Sequence, residues 1–168
     1  TDLVTTRMHI TGGLGAVEGM EGFGAPYELP NLTAYNETCA AVANVFFNYG
    51  MYLDSGDAKF LDIAELSLFN NSLAGINLHG DRFFYVNPLE ADGVRRFNHG
   101  NGGRAKWFGC ACCPPNISRL ILQVPGYMYA YSKDRVYLTL YGGSQTTIPL
   151  EGTLSLIHIS EPTRPLYI

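Results

Sequence analysis

Cys110-Ala111-Cys112-Cys113-Pro114-Pro115-Asn116 holds three of the four cysteines of this 168-residue chain, two of them adjacent. The fourth, Cys39, stands far upstream in Tyr35-Asn36-Glu37-Thr38-Cys39, two residues after a glutamate. Three thiols and a carboxylate are enough to complete a tetrahedral metal site, and zinc is the metal that ligand set favours. The rest of the chain reads as a means of bringing these two segments together.

Other readings of the cysteines are weaker. Two disulfides would suit a short, loop-rich secreted domain, and this chain is neither short nor visibly secreted. Buried cysteine as a small hydrophobe could account for Cys39, but not for three cysteines within four residues. A redox dithiol of Cys112 and Cys113 suffers because adjacent cysteines rarely reach unstrained disulfide geometry.

The spacing sets conditions on a shared metal ion. Residues at i and i+2 of a helix face nearly opposite sides, so Glu37 and Cys39 can share an ion only at a helix entrance. Cys112 and Cys113 need an irregular backbone to converge, and Pro114 is expected to push Cys113 out of the helical region. A site closed by three thiolates and a carboxylate has no open position for water, which disfavours hydrolysis by a metal-bound water. One alternative is a metal-held thiolate acting as the nucleophile, with an acid to protonate the leaving group. Glu21 is a candidate for that acid and competes with Glu18 in the same glycine-rich loop.

Outward from these segments, residues 1 to 30 are dense in glycine (Gly12, Gly13, Gly15, Gly19, Gly22, Gly24), which argues for turns and close backbone approach. No Gly-Lys-Ser/Thr follows, so a phosphate loop is disfavoured. Residues 39 to 53 are almost all apolar or small and predict a helix buried on every side. Asp54-Ser55-Gly56-Asp57 breaks it, and a second helix is expected from about residue 58 to 73. Residues 76 to 85 read as a small hairpin turning at Gly80, and 91 to 106 as a loop. Pro114 and Pro115 suit a helix start, with Pro125-Gly126 stopping that helix. From Tyr127 the period changes to two, predicting antiparallel strands around a turn at 132 to 135.

Composition is that of a globular protein, 46% hydrophobic and 15% charged. A net charge of −4 gives no reason to expect nucleic acid as a partner. No apolar run approaches the roughly 18 residues needed to span a bilayer, so no membrane partner is expected either. The first residues carry no initiator Met and no signal-peptide pattern. Leu154-Ser155-Leu156-Ile157-His158-Ile159-Ser160-Glu161-Pro162-Thr163-Arg164 resembles the translation of a transposase sequencing adapter. Residues 154–168 are therefore set aside as an expected non-native tail, and the chain is expected to be an internal fragment.

Taken together, Thr11-Gly12-Gly13, Gly19-Met20-Glu21-Gly22-Phe23, Tyr27-Glu28-Leu29-Pro30-Asn31, Tyr35-Asn36-Glu37-Thr38-Cys39, Phe84-Tyr85-Val86-Asn87-Pro88-Leu89 and Cys112-Cys113-Pro114-Pro115-Asn116 resemble glycoside hydrolase families 127 and 146, the β-L-arabinofuranosidases. The resemblance implies a mainly α fold with β: the C-terminal part of an (α/α)6 barrel over 1–125, then the first strands of a β-sandwich over 126–153. It implies zinc held by Glu37, Cys39, Cys112 and Cys113, with Cys112 as nucleophile and Glu21 as acid/base. The sequence has Gly-Met-Glu-Gly-Phe where the family more often has Gly-Glu-Ala-Phe. Tyr85 corresponds to a tyrosine near the sugar, Glu65 to a family glutamate expected to bind substrate, and Cys110 to a cysteine that is not a ligand. The implied partner is an arabinofuranoside-containing glycan or glycoconjugate, cleaved with retention of configuration. The fragment alone is expected to be inactive. The alternative is a structural zinc site in a non-catalytic carbohydrate-binding or scaffold protein.

Overall fold

The computed structural model describes residues 2–150 and 153–159, and mixes helices with short strands. The chain divides into two compact units, Thr1–Leu122 and Gln123–Ile168.

In the first unit, helix α1 (Thr38–Ser55) is followed by α2 (Lys59–Ser67), and the two pack against each other. Gly56 ends α1 in the left-handed conformation, its N–H bonded to Tyr52 O, as the break after Leu53 predicts. Contrary to the expectation of burial on all sides, α1 is buried along one stripe, which includes Ala41, Val42, Val45, Asn48 and Tyr52. Phe47 and Leu53, on the rest of its surface, are each 59% exposed. The stripe repeats every three to four residues because only one side of α1 has neighbours here.

The second helix is shorter than the expected span to residue 73. After Ser67 the backbone widens into a π-helical turn (Leu68–Ser72) and then a 3-10 turn (Leu73–Gly75). The apolar period suggests a longer helix, but Asn71 has other partners. It lies 1% exposed and exchanges side-chain hydrogen bonds with Asn36, while Asn87 Nδ2 donates to Asn71 Oδ1 at 3.0 Å. Satisfying a buried amide outweighs one turn of regular helix.

The glycine-rich stretch is turn-built, with short helical turns at Leu3–Arg7 and Glu18–Met20. A bridge between Met8 and Leu14 closes a tight loop over Gly12 and Gly13, with His9 N–H donating to Gly13 O at 2.9 Å. Gly13 is there for want of space. A Cβ on it would stand 1.9 Å from Asn36 Oδ1 and 2.6 Å from Asn71 Nδ2. The expected hairpin at 76–85 forms as one bridge, Ile76 to Phe83, around a left-handed Gly80. Phe83 also bridges Ala105, which folds the 91–106 loop back on it.

Helix α3 (Cys113–Gln123) begins one residue earlier than the prolines suggest. Cys113 is its first residue, so Pro114 does not exclude Cys113 from the helix. Proline is well placed in a first turn, where no N–H is needed, and the irregular backbone ends at Cys112.

In the second unit a 3-10 turn (Val124–Tyr127) precedes two antiparallel pairs. Strand β1 (Tyr129–Tyr131) pairs with β2 (Val136–Leu138), with Ser132 N–H bonded to Arg135 O across the expected turn. Strand β3 (Ser144–Leu150) pairs with β4 (Thr153–Ile159) from Ser144↔Ile159 to Leu150↔Thr153. Most of β4 falls in the segment set aside as a tail, and residues 160–168 of that segment lie outside the described residues. No helix among the described residues is long and apolar enough to cross a membrane.

Candidate metal centre and active site

The two segments that the sequence singles out meet at two helix starts. Glu37 is the residue before α1, extended at φ −63° and ψ 135°, so its carboxylate can turn toward Cys39 as the spacing requires. It is held there by a bridge to Val86, by Thr38 N–H donating to Tyr85 O, and by Thr38 Oγ1 donating to Phe84 O. Preceding it, Asn36 adopts φ 45°, a left-handed conformation that asparagine tolerates better than most residues. Asn36 is wholly buried and donates to Asn87 O at 2.7 Å. At the other segment, Cys112 closes the loop and Cys113 opens α3.

Cys39 Sγ stands 3.3 Å from Cys112 Sγ and 3.1 Å from Cys113 Sγ, and the last two sulfurs are 3.7 Å apart. Glu37 Oε1 is 3.5 Å from Cys112 Sγ and 3.6 Å from Cys113 Sγ. All four candidate ligand atoms lie within 4.8 Å of one another. None of the cysteines forms a disulfide, which would need sulfurs about 2.05 Å apart. Sulfurs around one tetrahedral zinc, with Zn–S about 2.3 Å, would sit roughly 3.5–4 Å apart. The observed separations meet or fall a few tenths of an ångström short of that, so the four side chains are already grouped for a metal ion.

Their electrostatics fit the same use. The Cys113 thiol hydrogen-bonds to Cys39 and holds Cys39 below the usual thiol range, against the opposing effect of burial. Burial pushes Cys112 up to about 11, and the bond to Cys39 together with burial pushes Cys113 up further. With protein groups alone, the cluster accommodates one thiolate readily and resists a second. A divalent cation reverses that order, because coordinated thiols lose their protons.

Around the cluster stand two buried phenols. Tyr85, 4% exposed, places its hydroxyl 3.1 Å from Cys112 Sγ. Tyr35, 5% exposed, donates to Glu21 Oε1 at 2.9 Å and meets the Tyr85 ring edge-on at 6.2 Å. Both phenol pKa values are raised, first by burial and then by these partners, so both stay protonated; Tyr35 donates to Glu21, and the Tyr85 hydroxyl accepts from the Cys112 thiol. Glu21 itself is exposed, in the left-handed conformation at φ 49°, and shares a shallow hollow with Tyr35 and His99. Glu18, its competitor in sequence, lines the same hollow but is ion-paired with Arg95 at 2.6 Å.

The remaining expected site residues are placed differently. Glu65 lies exposed on α2 and lines a hollow with Asp62, Leu66, Phe69 and Asn70, none of them in the sulfur cluster. Cys110 is exposed and is not one of the four grouped ligands. Three neighbours carried no assigned role in the sequence. Asn116 Nδ2 donates to Cys39 Sγ at 3.1 Å, the Tyr35 hydroxyl holds Glu21, and the His99 ring packs on Tyr85 at 4.4 Å. Asn116 and Tyr35 sit inside the motifs, but their bonds cross the fold and leave no local pattern to find.

Comparison with known proteins places this arrangement. Residues 1–126 match the family model described as "Beta-L-arabinofuranosidase, GH127 catalytic domain". A non-reducing end β-L-arabinofuranosidase of Bifidobacterium longum subsp. longum is 45% identical over 132 residues, covering 76% of this chain and 20% of that protein. A solved family 127 β-arabinofuranosidase superposes with a TM-score of 0.85 at 45% identity, over 92% of this chain and 23% of the other. A family 127 β-L-arabinofuranosidase from Geobacillus stearothermophilus T6 gives a TM-score of 0.86 at 39% identity, over 93% and 25%. The chain thus spans a quarter or less of the length of these relatives, and by both sequence and fold it belongs to glycoside hydrolase family 127.

Proposed function

We propose that this chain carries the nucleophile and acid/base segments of a retaining β-L-arabinofuranosidase that works through a zinc-held cysteine. The observation that carries the reading is the convergence of Glu37, Cys39, Cys112 and Cys113 on one point. In this reading, 1–125 is the last part of an (α/α)6 barrel and 126–153 begins a β-sandwich. Residues 154–168 are an adapter-derived tail. Spanning 20% of the length of its curated relative, the chain does not turn over substrate by itself.

Glu37, Cys39, Cys112 and Cys113 would hold zinc, which when bound would keep the sulfurs ionised near neutral pH and make the Cys112 thiolate a competent leaving group as well as a nucleophile. Cys112 Sγ attacks the anomeric carbon as the glycosidic C–O bond breaks. Glu21, steadied by the Tyr35 phenol, gives its proton to the departing oxygen. The sugar is then bonded to Cys112 through a C–S bond. Glu21, now a carboxylate, takes a proton from water as that water attacks the same carbon, and the C–S bond electrons return to Cys112. Two displacements restore the starting configuration. Ordinary retaining glycosidases use two carboxyl groups about 5–5.5 Å apart, and here a sulfur takes the place of one. The 3.1 Å contact of the Tyr85 hydroxyl with Cys112 supports reading Tyr85 as a residue near the sugar. Glu65 is retained as a substrate-binding residue on the family resemblance alone.

The test is Cys112→Ser in an enzyme of full family length that carries these motifs. Turnover of an arabinofuranoside is expected to fall by at least about 10³-fold with the circular dichroism spectrum intact. Normal turnover in that variant would remove Cys112 as nucleophile.

A further inference from the structure

The three clustered sulfurs differ in what reaches them from outside. Cys113 is wholly buried, and the polar neighbours of its sulfur are Cys39, Cys112 and Glu37. Cys112 has the Tyr85 hydroxyl, which can accept or donate as its hydrogen turns about the C–O bond. Cys39 has the side-chain amide of Asn116, 77 residues away in sequence. Asn116 lies in the first turn of α3, where its own N–H donates to Cys112 O at 3.1 Å. Side chains in a helix lean toward its N-terminus, so the amide is directed back at the start of α1, where Cys39 is the second residue. A sulfur bound to a cation is a thiolate and can only accept, so the amide presents its N–H to it.

We propose that Asn116 is a positioning residue that makes Cys39 the permanent ligand and leaves Cys112 as the sulfur that reacts. The proposal rests on the zinc-thiolate reading above. An N–H···S bond withdraws electron density from the sulfur and fixes its direction, which lowers its nucleophilicity without displacing it from a metal. Chemically identical thiolates around one ion need some such distinction if only one is to form a bond to carbon. One hydrogen bond also ties together the two helix starts that carry the ligands.

The test uses the 168-residue chain itself and needs no turnover. Zinc-loaded chain is treated with iodoacetamide, in which the thiolate forms a C–S bond and iodide leaves, and each cysteine is followed by peptide mass spectrometry. Exposed Cys110 serves as the internal reference rate. In parallel, the cobalt(II)-loaded chain reports its sulfur-to-metal charge-transfer absorption. Cys112 is expected to react ahead of Cys39. In Asn116→Ala and in Asn116→Leu, which keeps the bulk and loses the donor, the Cys39 rate relative to Cys110 should rise several-fold. The charge-transfer band should move to lower energy, and zinc affinity should fall by about tenfold or more. Circular dichroism of both variants shows whether either has unfolded. Metal bound with unchanged Cys39 reactivity and an unshifted band in the folded variants overturns this proposal alone. A chain that takes up neither zinc nor cobalt overturns the metal reading, and this proposal with it.

Discussion

The sulfur cluster and Glu21 are both fastened to residues 35–39, by opposite means. On the cluster side the backbone around Glu37 is clamped by Val86, Tyr85 and Phe84, and Asn36 is sunk among Asn71, Asn87 and the glycine loop. Glu21 stands exposed on a left-handed turn, with one side-chain bond to Tyr35 and a weak backbone bond of 3.4 Å to Glu18 O. In the proposed reading the four grouped atoms share one ion within a few tenths of an ångström, which demands a stiff support. In the same reading Glu21 serves first a departing oxygen and then a water, so some freedom at its carboxylate is compatible with that work. The two halves of the site should therefore respond differently to damage.

The largest expected effect is on the clamped half. In Gly13→Ala the new methyl would overlap Asn36 Oδ1 at 1.9 Å, so either Asn36 leaves its buried bonds or the loop opens. The cost is expected to reach about 3 kcal/mol or more, since overpacking and a broken buried network add. Urea unfolding of the chain measures it, and zinc uptake should weaken in the same variant. A variant as stable as the parent would show that the Asn36 network is not what holds Glu37 in place.

A smaller effect is expected on the Glu21 half. Tyr35→Phe removes one donor while keeping the ring against Tyr85. In the full-length enzyme kcat/KM should fall by about tenfold, the equivalent of one hydrogen bond of roughly 1.4 kcal/mol. Zinc affinity should not change. Loss of zinc in that variant would mean that Tyr35 supports the cluster, and the contrast between the halves would fail.

How much of this was legible beforehand follows the same line. The sequence marks the four grouped side chains because cysteine is scarce and clustered, and sharing one ion would require a helix entrance at Glu37 and Cys39, where α1 begins. The strand period after Tyr127 and the stop at Gly56 are likewise local signals, and the structure carries both. What failed to show was tertiary. The π-helical turn at Leu68–Ser72 exists for Asn71, whose partners lie 16 and 35 residues away. The helical start at Cys113 defied the rule for the residue before a proline, which is a steric bias that the fold overrides here. The half-exposed α1 read as buried because an apolar face says that it needs a cover, not where the cover comes from.

The finest test of the contrast is His9, which lies behind the clamped half in the loop whose Gly13 presses on Asn36. It is 2% exposed, its Nε2 has no hydrogen-bond partner among the described residues, and its N–H donates to Gly13 O. Burial holds its pKa below the ordinary 6.5, since no charged neighbour offsets the loss of water. The folded protein therefore binds this proton less readily than the unfolded chain. His9 contributes stability that is complete above about pH 6.5 and is lost as pH falls through the lowered folded value. Unfolding free energies of the chain from pH 8 to 5 should decline in acid with a slope for this one proton no steeper than about 1.4 kcal/mol per pH unit. His9→Gln should remove that part of the slope, and an unchanged slope would assign the acid sensitivity elsewhere. Because the loop abuts Asn36 and not Glu21, the part of the acid loss in zinc affinity that His9→Gln removes, beyond the thiol protonation common to both chains, should exceed any change at the Tyr35–Glu21 bond. If both fail together, the clamped and the free halves of the site are one mechanical unit after all.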